Sequence, residues 1–338
     1  MQPNELLAQT PVLVTGASGF TGSLLVRKLV QAGAQVRAIA RASSRITHLE
    51  DLPITWFRGD VFDPTTITQA CEGVEYIIHV AAAYRQAKVS DDFYHQVHVG
   101  STQLLARAVA DQANFRRFVH VSTVGVHGHI AHPPADESYP FDPEDMYQKT
   151  KADAEIWIRE FADQSGLPLA VVRPCAIYGP GDTRLLKLFK LAVGPVYPLL
   201  GKSKSLYHLI HVEDLAEIMI QAAIHPAAQG QVFIAGNPQA VTLEQMGRIV
   251  AETFGKKLRV VRLPAWPFFA LAAVCETVCK PLGIEPPLYK RRVAFYTKDR
   301  SFDTRKLRDV LGYQVKWSEE KGLAETARWY RDHGLLRV

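Results

Sequence analysis

Pro11-Val12-Leu13-Val14-Thr15-Gly16-Ala17-Ser18-Gly19-Phe20-Thr21-Gly22 is the stretch on which the reading of this chain turns. Val12 to Val14 is an apolar run of buried-strand type. It breaks at Gly16, and Leu24, Leu25, Leu29 and Val30 then recur at helical spacing. A strand that turns sharply into a helix leaves the first helical N–H groups without partners, and such groups bind phosphate. Gly16 permits the turn, Gly19 lets backbone approach a pyrophosphate, and Gly22 lets the helix pack tightly on the strand. Between a strand and a helix, this glycine spacing predicts a bound dinucleotide.

Working outward, strand and helix patterns alternate through the first half. Gln35–Ala40, Ile54–Phe57, Tyr76–Val80, Arg117–Ser122 and Leu169–Arg173 read as further strands, with helical patterns near 64–72, 93–112 and 145–165. Alternating units with apolar strands predict an α/β Rossmann fold, a doubly wound parallel sheet covered by helices on both faces. After Arg173 the alternation stops. Val232–Ala235 reads as one more strand, and 241–338 is mostly helical. The expected organisation is a nucleotide-binding domain from 1–173 with 211–236, and a smaller, mostly helical C-terminal substrate lobe from 174–210 with 237–338.

The chain of 338 residues can bury a large core. Its 39 basic and 34 acidic residues leave a net charge of +5, with no dense basic run, so nucleic acid is not an expected partner. Lys290-Arg291-Arg292 reads as a solvated helix face. Cys71, Cys175, Cys275 and Cys279 form no CxxC pair and suggest reduced thiols rather than a disulfide framework. Met1 to Gln9 has no signal-peptide character, and a cytoplasmic protein is expected. The greasiest later stretch, Leu263 to Cys275, is too short to span a membrane but suits weak contact with a membrane surface. No metal is expected; the His127-Gly128-His129-Ile130-Ala131-His132 loop has weak ligand spacing.

The residue ending the second strand governs the choice of dinucleotide, because a carboxylate there bonds the ribose 2′-hydroxyl of NAD. The strand instead ends Ala40-Arg41-Ala42-Ser43-Ser44-Arg45, with no carboxylate before Glu50. Arg41 with Ser43, Ser44 or Arg45 would clamp a 2′-phosphate, which favours NADP, with NAD as the alternative. Gly59-Asp60-Val61 places a carboxylate where adenine would lie. Tyr147 and Lys151 are four residues apart and share a helix face. A phenol titrates near ~10, and an ammonium one turn away favours the phenolate, making an acid–base catalyst. Ser122-Thr123 ends a strand at the carboxyl edge of the sheet, where a hydroxyl meets a substrate oxygen.

On these residues the chain resembles the extended short-chain dehydrogenase/reductase family over essentially its whole length. The matching pieces are Thr15 to Gly22, Gly59-Asp60, His79-Val80-Ala81-Ala82, Ser122-Thr123 with Val126-His127-Gly128, Tyr147 to Lys151, Arg173-Pro174 with Tyr178-Gly179-Pro180, and His211 to Asp214. The resemblance implies Tyr147 as general acid/base, Lys151 as the residue that lowers its pKa and bonds the nicotinamide ribose, and Thr123 as the catalytic hydroxyl. It places Ser18, Phe20, Thr21, Val61, Ala81, Ala82, Ala83, Ser122, Pro174, Ala176 and Ile177 along the cofactor. Tyr84, Thr123, Tyr178, Phe189 and Tyr197 are expected at the substrate. A homodimer through the Tyr147 helix is the family's habit. One departure is His98, where the family usually has Asn; it is assigned no catalytic role.

Two branches of the family remain. Sugar-nucleotide epimerases and dehydratases retain NAD and usually carry Asn and Arg donors for a diphosphate, at positions occupied here by Ala176 and Tyr207. Reductases and dehydrogenases of flavonoid, steroid or lipid type carry apolar substrate lobes. Phe189, Val196, Tyr197, Leu199 and Leu200, with Trp266, Phe268, Phe269, Leu271 and Val274, favour this second branch. The expected activity is NADP(H)-dependent exchange of hydride with the carbonyl or alcohol of a largely apolar small molecule.

Overall fold

The computed structural model describes residues 6–83, 90–201, 205–279, 286, 293 and 299–338. Tyr84 and Lys290-Arg291-Arg292 lie outside them. β1 (Pro11–Thr15) feeds α1 (Phe20–Gln31), followed by β2 (Gln35–Ala40), β3 (Thr55–Arg58), α2 (Pro64–Cys71) and β4 (Tyr76–His79). The chain continues through α3 (Asp91–His95), a π turn (Gln96–Gly100), α4 (Ser101–Val109), β5 (Arg117–Val121), α5 (Met146–Ser165) and β6 (Leu169–Pro174). β7 (Ala176–Tyr178), α6 (Leu186–Val193), β8 (Tyr197–Leu200), β9 (Leu206–Tyr207), β10 (Leu209–His211) and α7 (Val212–Ile224) come next. β11 (Gln231–Ala235), β12 (Val241–Thr242), α8 (Leu243–Glu252), β13 (Val260–Leu263), α9 (Trp266–Cys279), α10 (Arg305–Leu311) and α11 (Glu319–Asp332) complete the order.

Seven strands form one sheet in the order β11-β6-β5-β4-β1-β2-β3, and every neighbouring pair is parallel. The chain reverses its direction of winding between β1 and β4, so a crevice opens at the carboxyl ends of those strands. Both faces are apolar because both are covered. Leu25 and Leu29 of α1, with Leu215 and Met219 of α7, pack on Val12, Val14 and Val172. Ile67 of α2, Leu105 and Val109 of α4 and Ile158 of α5 pack on Leu13, Ile77, Phe118 and Val171. Local sequence sets the helix ends. Asp63 and Asp145 cap α2 and α5 by accepting the amides of Thr66 and Gln148, and α5 stops at Gly166, whose φ is +73°.

Two details differ from the sequence expectation. The single helix expected at 93–112 is interrupted by the π turn, which carries Val97, His98 and Val99 all inward. The C-terminal segment is also divided between the two cores. Phe302, Leu307, Leu311 and Tyr313 pack with the sheet domain, whereas Leu323, Ala327 and Tyr330 of α11 join Phe189, Tyr197, Leu243 and Met246 in the core of the smaller lobe. Among the described residues no helix is long and apolar enough to cross a membrane.

Candidate active site

The crevice at the sheet switch point is a cleft of about 850 Å³. Its floor is the glycine turn. Gly16 has φ +73°, and a Cβ there would stand 2.8 Å from the Ala81 nitrogen; at Gly22 it would stand 2.1 Å from the Gly16 oxygen. Gly19 differs, because a Cβ there would meet only that same oxygen, at 3.3 Å. Gly19 caps α1 with no side-chain hydrogen bond, so the helix amides face the cleft beside Ser18, Phe20 and Thr21. This donor set and absence of side-chain bulk fit a pyrophosphate. Arg41 and Ser44 line the same cleft after β2, and Asp60 and Val61 line it after β3. Arg45 is exposed and does not line it, so its expected place at the cofactor is corrected: the loop turns it outward.

Ala81, Ala82 and Ala83 form the adjoining wall, and two buried histidines hold it. The Ala81 amide donates to Thr15 Oγ1 at 3.2 Å, and Thr15 Oγ1 lies 2.7 Å from His79 Nδ1. Ser101 Oγ spends its proton on the Val97 carbonyl, so it accepts from His79 Nε2 at 3.1 Å and Thr15 donates to Nδ1. The Ala83 amide donates to His98 Nε2 at 3.0 Å, which leaves the proton on Nδ1 to bond Thr150 Oγ1 at 2.8 Å. Burial pushes His79 down to about 3 and His98 down to about 2, with the Lys151 ammonium adding to both effects, so both rings stay neutral. The departure at His98 is thereby accounted for: the imidazole bridges the wall to α5 and stands edge-on to Tyr147, ring centres 5.4 Å apart.

Ser122, Thr123, Tyr147 and Lys151 all line the cleft. Thr123 Oγ1 accepts the Gly125 amide at 3.1 Å, which occupies one lone pair and leaves its proton to donate. Lys151 is buried and its Nζ donates to the Val121 carbonyl at 2.6 Å. Burial brings its ammonium down from 10.5 to about 8, with Glu155 acting the other way. This lysine is therefore a cost to folding. The folded protein binds fewer protons at this site than the unfolded chain between pH ~8 and ~10.5, so the site's contribution to stability rises with pH across that window. At 1.36 kcal/mol per pH unit the whole effect is about 3 kcal/mol. Lys151→Met is expected to melt above the wild type at pH 7, and by a smaller margin at pH 10. Equal margins at the two pH values in a thermal melt would remove the titration from the account.

The far wall is made by Leu185, Tyr207, Leu209, Met246 and Phe302, with Phe93 and Val97 on the near side. Ala176, Ile177 and Pro174 line the cleft as well. The expected substrate contacts Tyr178, Phe189 and Tyr197 are corrected. All three are buried in the lobe core and none lines the cleft. Tyr178 packs edge-on against His211, Phe189 against Tyr330, and Tyr197 Oη donates to the Leu243 carbonyl at 2.8 Å. Leu199 is buried with them, while Val196, Trp266, Leu271 and Val274 face outward.

Glu155, on α5, is the acid partner of the buried Arg173. It is buried and binds Arg173, with Nη2 to Oε1 at 2.5 Å and Nε at 3.1 Å from both oxygens. Arg173 also donates to His127 Nε2 at 3.1 Å and to the Glu137 carbonyl at 2.8 Å, which draws His127 into this cluster. The signal was present in the sequence: an arginine inside an apolar strand requires a buried partner. Among the described residues no three His, Cys, Asp or Glu side chains gather as a metal site.

The site is thus a dinucleotide cradle joined to a hydroxyl, phenol and ammonium at one sheet edge. Comparison with known proteins agrees with that construction. The family model for the NAD dependent epimerase/dehydratase family matches residues 12–236. The ceramide reductase of Caulobacter vibrioides is 31% identical, with 97% of each chain covered. The putative dihydroflavonol 4-reductase of a Synechocystis strain is 29% identical over the whole of both chains. The crystal structure of gox2253 superposes with a TM-score of 0.82 at 27% identity, covering 97% of this chain and 100% of that one. Motif, fold and matched length together make the chain a member of the NAD-dependent epimerase/dehydratase family, an NAD(P)-dependent oxidoreductase-type enzyme of the extended short-chain dehydrogenase/reductase class.

Proposed function

We propose that the protein is an NADP(H)-dependent reductase or dehydrogenase acting on the carbonyl or alcohol of a largely apolar small molecule. The observation that carries this reading is the makeup of the cleft. Thr123, Tyr147 and Lys151 face a wall of Leu185, Leu209, Met246 and Phe302, and Ala176 and Tyr207 stand where sugar-nucleotide members carry diphosphate donors. The names of the relatives, a ceramide reductase and a dihydroflavonol 4-reductase, support the same substrate class. A bound nicotinamide supplies or accepts the hydride. Thr123 donates its hydroxyl proton to the carbonyl oxygen and so polarises it. Tyr147 delivers a proton to that oxygen in reduction and withdraws it from the alcohol in oxidation. Lys151, held by the Val121 carbonyl, supplies the positive charge that favours the phenolate.

Gly16, Ser18, Gly19, Phe20, Thr21 and Gly22 hold the pyrophosphate in this reading, Asp60 and Val61 the adenine, and Arg41 with Ser44 a 2′-phosphate. A charge-assisted hydrogen bond is worth roughly 1.5–3 kcal/mol. Arg41→Ala is therefore expected to weaken NADPH about 10- to 150-fold in a fluorescence titration, with NADH unchanged. Equal binding of both cofactors by wild type and variant would remove the clamp and leave NAD. The reading includes a homodimer through α5, on which Ile156 is exposed.

A second reading, an NAD-retaining sugar-nucleotide epimerase or dehydratase, draws support from Arg184 and Arg300, which line the cleft. Arg184 is engaged by Asp182 at 2.6 Å, and Arg300 lies over the Tyr207 ring. One paired assay separates the two: NADPH oxidation against ketones and aldehydes, beside thermal shifts with UDP- and dTDP-sugars. Turnover of apolar ketones with no sugar-nucleotide shift supports the first reading. Co-purified NAD with a sugar-nucleotide shift supports the second.

A further inference from the structure

Gln148 lines the cleft, and neither the cofactor cradle nor the acid–base pair accounts for it. It follows Tyr147 directly, in the first turn of α5. Its backbone amide donates to the capping carboxylate of Asp145 at 2.7 Å, and its side-chain oxygen accepts the Glu144 amide at 2.7 Å. A backbone N–H needs an acceptor, so the atom facing Glu144 is Oε1 and the other end of the carboxamide is the NH2. The helix cap thereby fixes which way round the side chain stands. Among the described residues none accepts a hydrogen bond from that NH2.

Gly125 shows where the NH2 lies. A Cβ there would stand 3.3 Å from Thr123 Oγ1, 3.3 Å from Gln148 Cγ and 3.5 Å from Gln148 Nε2. Gly125 also lines the cleft, so its missing side chain leaves a hollow bordered by both the Thr123 hydroxyl and the Gln148 NH2. The inference rests on the reading of the cleft as the site of a carbonyl reductase or dehydrogenase. In that reading Thr123 and Tyr147 both bond the reacting oxygen. A carbonyl oxygen has two lone pairs, and those two donors use both. The Gln148 NH2 is left for a different oxygen. Because it shares the Gly125 hollow with Thr123, that second oxygen lies close to the first.

We propose that Gln148 is a specificity-determining residue, and that the substrate carries a second carbonyl beside the reacting one, as in a 3-oxo ester or amide. In a 1,3-dicarbonyl compound one methylene separates the two carbonyl carbons, and both oxygens can point the same way, toward two donors on one hollow. A carboxamide is a neutral donor, which suits an ester or amide oxygen; a carboxylate is better met by a charged donor. The apolar remainder of the molecule has Leu185, Leu209, Met246 and Phe302 to lie against in the same cleft. A plain ketone satisfies Thr123 and Tyr147 and leaves the Gln148 NH2 unpaired, and a donor left unpaired in a site is what separates one substrate from another.

The test compares ethyl 3-oxohexanoate with 4-nonanone, which has the same chain length and the same reacting position but no second carbonyl, using NADPH or NADH, whichever supports turnover. The ester carbonyl activates the neighbouring ketone by itself, so the diagnostic quantity is the change in the ester-to-ketone ratio of kcat/KM on substitution. Gln148→Glu keeps an acceptor for the Glu144 amide and places negative charge where a helix start favours it, so it loses the donor and keeps the cap. Gln148→Met loses the donor without adding charge. Both are expected to lower the ratio about 10-fold, chiefly through a higher KM for the ester. A ratio that neither substitution changes overturns the proposal. An equal loss with both compounds also overturns it and marks Gln148 as a cap residue only. A wild type that reduces neither compound removes the carbonyl-reductase reading, and the proposal with it; that result is told apart from the others because no ratio is then measured.

Discussion

Tyr147→Phe is expected to lower kcat by about 10²–10⁴-fold while leaving NADPH affinity unchanged. The substitution removes one hydroxyl and little else. The ring packs with Ala83 and Phe93 and stands edge-on to His98, and a phenyl ring keeps those contacts. The glycine cradle and Arg41 lie on other elements, so the cofactor's anchor points are untouched. Lys151 keeps its bond to the Val121 carbonyl, and Thr123 keeps its own to the Gly125 amide. What is lost is the hydroxyl proposed to move a proton to or from the substrate oxygen. Stopped-flow or steady-state turnover with the best ketone of the panel, beside a cofactor titration, reads both quantities. A variant that turns over at the wild-type rate would remove Tyr147 from the chemistry, and one that no longer binds NADPH would show a structural role instead.

The parts of this molecule legible in its sequence are those decided by local backbone physics. The parallel strands are buried on both faces, so each is an apolar run, and their observed ends fall close to where the runs end. The glycine turn was legible because the positive φ at Gly16 and the clearance of Gly22 from the Gly16 oxygen are demands local to the turn, whereas the close approach of Ala81 to Gly16 was not. The Tyr147–Lys151 pair was legible because helical spacing places both on one face. What escaped depends on distant partners. Tyr178, Phe189 and Tyr197 are aromatic in a lobe that needs aromatics both for a pocket and for its own core, and composition does not say which side each ring takes. The packing does: Tyr330 and Leu243, more than 40 residues away in sequence, claim Phe189 and Tyr197 for the core, and His211 claims Tyr178. His98 was visible as an oddity, yet its role needs Ala83 and Thr150 to converge on opposite edges of one ring.

Glu155→Ala is expected to destabilise the fold by about 3–5 kcal/mol, the usual cost of stranding a buried charge. Glu155 and Arg173 are both essentially without solvent contact. The alanine variant would leave the guanidinium with only His127, the Glu137 carbonyl and the face of Phe141, none of them anionic. Glu137 is the other acid that feels the Arg173 charge, but it offers the guanidinium its backbone oxygen and spends Oε1 on the Ile234 amide. Replacing both members with apolar groups, Glu155→Leu with Arg173→Met, should recover much of the loss, because the desolvation of both charges is then avoided. Denaturant melts of the wild type and these two variants read the comparison directly. A single variant that loses less than about 1 kcal/mol would show that Arg173 is hydrated in solution, since that is the range of an exposed ion pair. The same variant reaches the site. Glu155 lies one turn after Lys151 and favours its charged form, so its removal should lower the lysine further below about 8. On the proposed roles, turnover in the Glu155→Ala variant should then fall off at a lower pH than in the wild type, because the positive charge proposed to sustain the Tyr147 phenolate is lost sooner as pH rises. The buried acid would thereby tie the sheet to α5 and set the pH range over which Lys151 supports catalysis.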